Sequence, residues 1–147
     1  METQNYPSDD LHAVKNKLKT SSWLIGCLCA AWCDTCQAYR NGFNNLQNLH
    51  QDKCFAWIDI EDHAEMIDDL DIENFPTILI QYEHKILFLG TMLPDANLVH
   101  RLIQSLEEAI TSDGIEKISP NLQSSAHPIP FDWSLRRELE SSSERLS

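Results

Sequence analysis

The feature that most constrains the fold is a pair of continuous apolar runs separated by one helical pattern. Residues 23–30 and 54–60 are apolar at nearly every position, which is typical of strands buried on both faces. Between the two runs, Tyr39, Phe43 and Leu46 recur at helical spacing. A strand, a helix and a second strand in this order predict an α/β fold, with a parallel or mixed sheet covered by helices on both faces.

The other predicted elements extend this unit to the order helix, strand, helix, strand, helix, hairpin, helix. They are a helix over 8–19 capped by Ser8, a helix from Asp62 that stops before Pro76, hairpin strands over 77–82 and 85–90, and a last helix from Pro94. Asp62 and Glu65 form a capping-box pattern at the start of the third helix. The central mixed sheet is therefore expected to have about four strands flanked by helices.

Charge and composition exclude several functional classes. The 147 residues are enough for one domain with a real core, and 23 acidic against 11 basic residues give a net charge of -12. Such a surface repels phosphate backbones and anionic membranes, so neither nucleic acid nor a membrane is an expected partner. Residues 1–20 lack the apolar core of a signal peptide. We therefore expect a cytoplasmic protein.

The cysteines carry the chemical signal. There are five, an odd number that argues against a structural disulfide framework: Cys27, Cys29, Cys33, Cys36 and Cys54. Cys33 and Cys36 form a C-x-x-C motif where a buried strand gives way to a helix. Unpaired backbone N–H groups and the helix macrodipole favour a thiolate at the first cysteine. The second lies one turn on, close enough to close a disulfide.

The surroundings of this motif resemble those of the thioredoxin family. Trp32 stands directly before the first cysteine, and Phe75-Pro76-Thr77 enters a strand about forty residues later, followed by the hairpin and a final helix. The resemblance covers about residues 8–110 and implies a thioredoxin-like fold. It also implies a thiol–disulfide oxidoreductase with a redox-active disulfide between Cys33 and Cys36, needing no organic cofactor or metal.

The resemblance further implies a substrate-binding surface around the two catalytic cysteines. In the family the proline is cis and faces the disulfide, and the residue before it offers backbone hydrogen bonds to an extended substrate; those positions are Pro76 and Phe75. Gly90 matches a glycine that leaves room for substrate, and Trp32 is expected to cover the disulfide. The implied partners are protein disulfides and an electron donor, either a reductase or a small thiol.

The sequence also departs from the family pattern. Thioredoxins place a buried acid six residues before the first cysteine and a lysine on the next strand; here those positions are Cys27 and Trp57. The pair that shuttles the proton for the second cysteine is therefore missing. This leaves an alternative function open, a thioredoxin-fold binding or adaptor module with little turnover.

The remaining cysteines have simpler interpretations than catalysis. Cys27, Cys29 and Cys54 are most simply small buried hydrophobic residues, with Cys27 as a third redox thiol the alternative. A zinc site built from the first four cysteines is disfavoured, because their spacing lacks two separated knuckles. We therefore expect no metal.

The composition changes after residue 111, which predicts a thioredoxin-like domain over 1–111 and a polar extension over 112–147. The extension carries five residues that are too apolar for a purely solvated tail: Ile129, Phe131, Trp133, Leu135 and Leu139. Asp132 can cap a short helix from Trp133 to about residue 140. We expect residues 129–139 to dock on the domain, or on a second copy of it to form a homodimer, and the alternative is a disordered tail.

Overall fold

A computed structural model of the protein describes residues 10–67, 76–91, 95–122 and 133–141. The helices are α1 (Leu11–Leu18), α2 (Asp34–Leu49), α3 (Ala96–Asp113) and α4 (Leu135–Ser141). The strands are β1 (Trp23–Cys29), β2 (Cys54–Asp59), β3 (Thr77–Tyr82), β4 (Lys85–Thr91) and β5 (Asn121–Leu122). Within these ranges, no helix is both long enough and apolar enough to cross a membrane.

The strands form one mixed sheet in the order β2-β1-β3-β4-β5. The central strand β1 is parallel to β2 and antiparallel to β3, and the β3–β4 hairpin is antiparallel. The predicted α/β architecture is thus confirmed. The fifth strand adds a two-residue edge parallel to β4, which is too short to be predicted from periodicity.

Helices cover both faces of the sheet, which explains the continuous apolar runs. On one face, Tyr39 and Phe43 of α2 and Val99 of α3 share a buried cluster with β1. We call this side the α2 face. On the other, Val14 of α1 and Leu135 of α4 share a second cluster. Every residue of β1 is buried.

The C-terminal extension docks on this second face. Trp133, Leu135 and Leu139 are 5%, 0% and 0% exposed and belong to the same cluster as α1. In this structure residues 133–141 therefore pack on the domain, whereas residues 129–132 of the predicted docking segment lie outside the described residues. The domain boundary at residue 111 and the homodimer stay predictions.

Polar contacts fix the docked helix to the end of α1. The Arg136 guanidinium donates to the carbonyls of Leu18 and Ser21, at 2.7 and 3.0 Å. Gln81 Nε2 donates to Ser134 Oγ at 2.6 Å, and its Oε1 accepts from the Arg136 amide at 3.3 Å. Because the last carbonyls of a helix have no partner within the helix, α4 supplies one for α1.

A glycine in the central strand makes room for α4. A Cβ added at Gly26 would lie 3.0 Å from Leu135 Cδ2. That is closer than the optimal separation of about 3.5–4.0 Å between non-bonded carbon atoms. The absence of a side chain at position 26 therefore lets α4 sit directly on β1.

The predicted helix starts differ from those observed because other side chains cap them. Asp10 Oδ1 accepts from the amides of His12 and Ala13, at 3.1 and 3.3 Å, so α1 begins at Leu11. Ser134 Oγ accepts from the Arg137 amide at 3.2 Å, so α4 begins two residues later than expected. The predicted caps Ser8 and Asp132 lie outside the described residues.

The predicted helix at Asp62 does not form in the described part of that segment. Asp59 Oδ1 instead accepts from the amides of Glu61 and Asp62, at 2.8 and 3.1 Å, which closes a turn after β2. A single 3-10 turn follows at Ala64–Met66. Local capping of the turn by Asp59 thus replaces the predicted capping box. The remainder of the predicted helix, 68–75, lies outside the described residues.

We predict that Leu135→Ala lowers the free energy of unfolding by about 2–5 kcal/mol, because it leaves a cavity between α4 and β1. Urea denaturation measures the effect. Arg137→Ala, an exposed change on the same helix, serves as the control and should stay within about 0.5 kcal/mol of the native protein. Equal stabilities for the Leu135 variant and the control would contradict the docking.

Candidate active site

The C-x-x-C segment lies where β1 ends and α2 begins. Cys33 is the N-cap residue of α2, with extended backbone at φ -88 and ψ 116. Its amide donates to the Ala30 carbonyl at 3.0 Å, and its carbonyl accepts from the Gln37 amide at 3.1 Å. The predicted position of Cys33 at a helix N-terminus is therefore confirmed, and its thiol is free and partly exposed.

The disulfide in the structure differs from the predicted one. Cys36 is bonded to Cys29, with the two Cα atoms 5.9 Å apart, rather than to Cys33. The reason is that the last residue of β1 and the first turn of α2 meet on the α2 face, which brings both side chains into one buried cluster. Cys29 is therefore not merely a small buried hydrophobic residue. The catalytic roles of Cys33 and Cys36 stay a prediction.

Cys27 lies against this disulfide. Its Sγ is 3.5 Å from the Cys29 Sγ, and burial raises the pKa of the Cys27 thiol well above its ordinary value, with a smaller opposing effect from Arg40. Cys27 is therefore a neutral thiol at physiological pH. Since the sulfur of bonded Cys29 carries no hydrogen, Cys27 is the donor in this contact.

The two positions that depart from the thioredoxin pattern are neighbours in the sheet. Cys27 of β1 pairs with Trp57 of β2 in the parallel register. The Arg40 guanidinium lies 4.2 Å from the centroid of the Trp57 ring. A cation from α2 therefore lies over the ring of the residue that stands at the family's lysine position, a contact between two elements that was not predicted from the sequence. Arg40 follows Cys36 by four residues, and this helical spacing is the sequence signal that places the two side chains on one face of α2.

The register of the sheet brings Pro76 to the same end of the sheet as Cys29 of the disulfide. Leu28 of β1 pairs with Thr77 of β3 in antiparallel register. The next residues, Cys29 and Pro76, therefore lie at the same end of these two strands, and Pro76 is buried there. Phe75, and with it the 75–76 peptide bond, lies outside the described residues. The cis bond and the substrate contact at Phe75 stay predictions.

Of the other two predicted substrate-binding residues, Gly90 lies near this end of the sheet and Trp32 directly precedes Cys33 in the chain. Gly90 of β4 is buried and pairs with Ile78 of β3, and Ile78 in turn pairs with Cys27. Trp32 is 64% exposed, and its Nε1 donates to Glu61 Oε2 at 3.2 Å. Trp32 therefore presents its ring to solvent beside Cys33, and its predicted role as a cover over the disulfide stays a prediction.

No metal-binding cluster is formed among the residues that the structure describes. No three His, Cys, Asp or Glu side chains there are placed to hold one ion. In the four-cysteine segment, two of the sulfurs are bonded to each other. A bonded pair cannot supply thiolate ligands.

The fold thus combines a cysteine at the start of a helix with a buried proline directly before an antiparallel strand. A family model described as Thioredoxin matches residues 10–104. The chain belongs to the thioredoxin family. At the level of the family, this supports thiol–disulfide oxidoreductase chemistry.

Solved thioredoxin structures share the fold at low sequence identity. Mitochondrial thioredoxin 3 from Saccharomyces cerevisiae in its oxidised form is 16% identical to this chain. The match covers 65% of this chain and 89% of the yeast protein, with a TM-score of 0.54. Thioredoxin from Trypanosoma brucei brucei is 15% identical, with coverages of 74% and 98% and a TM-score of 0.57. A thioredoxin variant from Halobacterium salinarum is 18% identical, with coverages of 70% and 95% and a TM-score of 0.56. A search of curated proteins gave no match.

We predict that iodoacetamide labels Cys33 first in the folded protein with its Cys29–Cys36 disulfide intact. Cys27 and Cys54 are buried free thiols, and burial raises the pKa of Cys54 to about 12. Access favours alkylation at Cys33, whereas burial disfavours it at both other free thiols. Peptide mass spectrometry after timed quenching measures the order. Labelling of Cys27 or Cys54 before Cys33 would contradict this arrangement, and Cys33→Ser controls for slow labelling elsewhere.

Proposed function

We propose that the protein is a thiol–disulfide oxidoreductase that reduces or exchanges protein disulfides through Cys33 and Cys36. One observation carries this proposal. Of the three free cysteines, Cys33 alone is partly exposed, and it lies at the N-terminus of α2. Helix-terminal N–H groups stabilise a thiolate there, and Cys36 follows one turn later to resolve the product.

The proposed reaction has two exchange steps. The Cys33 thiolate attacks one sulfur of a substrate disulfide, forming a mixed disulfide and releasing the other substrate sulfur as a thiolate. The Cys36 thiolate then attacks Cys33 Sγ and releases the remaining substrate thiolate. Two electrons have passed to the substrate, and a reductase or a small thiol restores the Cys33–Cys36 pair. Resolution requires Cys36 as a thiol, so the Cys29–Cys36 bond of this structure must first be opened.

The end of the sheet that carries Pro76 and Gly90 supports binding of an extended protein substrate. Pro76 directly precedes β3, Gly90 lies on β4 near the same end of the sheet, and Trp32, the residue before the attacking thiol, has an exposed ring. An extended segment that pairs with backbone at position 75 would place its disulfide near Cys33. A cycle that depends on reduced thiols suits a reducing compartment such as the cytoplasm.

A binding or adaptor module with little turnover is the second candidate. The observation that favours it is the bond between Cys29 and Cys36, because Cys36 in that form cannot resolve a mixed disulfide. The missing proton-shuttling pair points the same way. In an adaptor of this kind, the exposed Trp32 and the end of the sheet at Pro76 would bind the partner.

Reduction of insulin by the protein, with a dithiol as electron donor, tests the proposal. We expect the native protein to accelerate the reaction and Cys33→Ser to abolish the acceleration, because the attacking thiol is lost. Cys36→Ser should accumulate a mixed disulfide through Cys33, visible on a non-reducing gel. Cys54→Ala is the control, since Cys54 is buried on the opposite face of the sheet.

A native rate equal to the uncatalysed background would contradict the oxidoreductase and favour the adaptor. An unchanged rate for Cys33→Ser would contradict the assignment of the attacking thiol. A mixed disulfide trapped through Cys36 in Cys33→Ser, with none trapped through Cys33 in Cys36→Ser, would reverse the two roles.

We predict that Cys27→Asp raises the rate of disulfide reduction near neutral pH, on the order of tenfold, because a positioned carboxylate can accept the proton of the resolving thiol. The neutral thiol of Cys27 is a poor base. Insulin reduction under single-turnover conditions measures the rate. The matched control is Cys27→Asn, which has the same shape without the charge.

The same substitution should lower stability, and more so as the pH rises. Burial raises the pKa of the introduced carboxyl above its value in the unfolded chain, so the unfolded state loses its proton first and ionisation costs the folded state. Thermal unfolding at pH 5 and pH 8 measures this loss. An unchanged reduction rate in a folded Cys27→Asp protein would contradict the proton-transfer argument.

A further inference from the structure

One sulfur on the α2 face has two alternative partners. Cys36 is bonded to Cys29, the last residue of β1. Three residues before Cys36, at the N-cap of the same helix, lies the free thiol of Cys33. A C-x-x-C spacing at a helix start brings its two sulfurs within bonding distance. Cys36 can therefore bond to either neighbour, but to only one at a time.

The two alternative disulfides leave different thiols free. Cys29 and Cys36 are 1% and 0% exposed, whereas Cys33 is partly exposed. A Cys33–Cys36 bond leaves a buried thiol at Cys29 and no reactive thiol at the surface. A Cys29–Cys36 bond buries the disulfide and leaves Cys33 at the surface as a thiol. Moving the disulfide from Cys33–Cys36 to Cys29–Cys36 therefore returns a reactive thiol to the surface.

We propose that Cys29 is a third redox cysteine, which displaces Cys33 from Cys36 and moves the disulfide from the surface pair to the buried pair. This inference rests on the proposed function, because it takes the Cys33–Cys36 disulfide as its starting point. In the step, Cys29 Sγ gives up its proton and bonds to Cys36 Sγ, while the bond between Cys33 and Cys36 breaks. Cys33 leaves as a thiolate and takes up a proton. No oxidant is consumed, because one disulfide and one thiol are present before and after.

The surroundings of both sulfurs suit this exchange. The thiolate that leaves is at the N-terminus of α2, where free amide groups and the helix macrodipole stabilise negative charge. The sulfur that attacks has Cys27 Sγ at 3.5 Å. Because burial keeps Cys27 protonated, its S–H can donate to Cys29 as negative charge develops there. Cys27 acts here as a positioning residue.

The consequence is a change from two-thiol to one-thiol chemistry. With Cys29 bonded to Cys36, Cys33 can still attack a substrate disulfide, but no internal thiol resolves the product. The mixed disulfide then persists until an external thiol attacks it or until the Cys29–Cys36 bond is reduced. The protein would hold its disulfide partners while Cys29 and Cys36 are bonded, and it would release them when Cys36 is a free thiol.

Timed disulfide mapping tests the exchange. The fully reduced protein is treated with a limiting amount of oxidised glutathione, samples are quenched with iodoacetamide, and each disulfide is located by peptide mass spectrometry. We expect the Cys33–Cys36 disulfide first, followed by its conversion to Cys29–Cys36 with Cys33 alkylated. The conversion should proceed after the glutathione is exhausted, because it needs no oxidant.

Two variants make the result specific. Cys29→Ala should form the Cys33–Cys36 disulfide and keep it, with Cys33 protected from alkylation throughout. Cys54→Ala, which removes a buried cysteine from the opposite face, should show the same migration as the native protein. Cys27→Ala should slow the migration without changing which bond forms first. If Cys27→Ala only destabilises the fold, the disulfide will migrate in the folded fraction at the native rate. That result would contradict the positioning role of Cys27.

Failure of this inference can be told apart from failure of the proposed function. A native protein that keeps Cys33–Cys36, or forms Cys29–Cys36 with no earlier Cys33–Cys36, overturns the exchange. In either case Cys29→Ala still reports whether Cys33 and Cys36 form a disulfide. If that variant forms none, the proposed catalytic pair itself is overturned. If migration occurs but insulin is not reduced, the exchange stands and the oxidoreductase activity does not.

Discussion

The structure depends on a central strand that is buried on both faces. Every side chain of β1 is removed from water, and the strand is paired on both edges, to β2 and to β3. Burial of apolar surface on two sides provides most of the stabilisation available to a chain of this size. It also fixes the register, since a shift by one residue would exchange the two faces. All the cysteines of the candidate site derive their positions from this strand or from the helix that follows it.

Chemistry and packing are divided between the two faces. The α2 face carries Cys27 and Cys29 from β1 and Cys36 from α2, so its sulfur atoms share one water-excluded environment. The opposite face carries α1 and the C-terminal helix, joined by the contacts of Arg136 with the end of α1. A change on the second face is therefore expected to affect stability more than chemistry. The C-terminal helix completes the cover over β1, where Gly26 leaves space for Leu135.

The five cysteines differ in chemical state because their surroundings differ. Cys33 is at a helix N-terminus and partly exposed, and it has the surroundings of an attacking thiol. Cys27 and Cys54 are held as neutral thiols by burial, which raises the pKa of each. Cys29 is bonded although it lies outside the C-x-x-C motif. Five residues of one type thus have at least three different chemical states within a single domain.

The sequence by itself determined what depends on local periodicity. Continuous apolar runs identified β1 and β2, helical spacing identified α2, and the C-x-x-C motif placed Cys33 at a helix start. Only the tertiary structure decided which sulfur meets Cys36, because that partner, Cys29, comes from the preceding strand and its approach depends on how α2 packs on the sheet. The same holds for Arg40 over Trp57 and for Leu135 in the space at Gly26. Sequence patterns report which face of an element is buried, whereas contacts between elements follow from the packing of both partners.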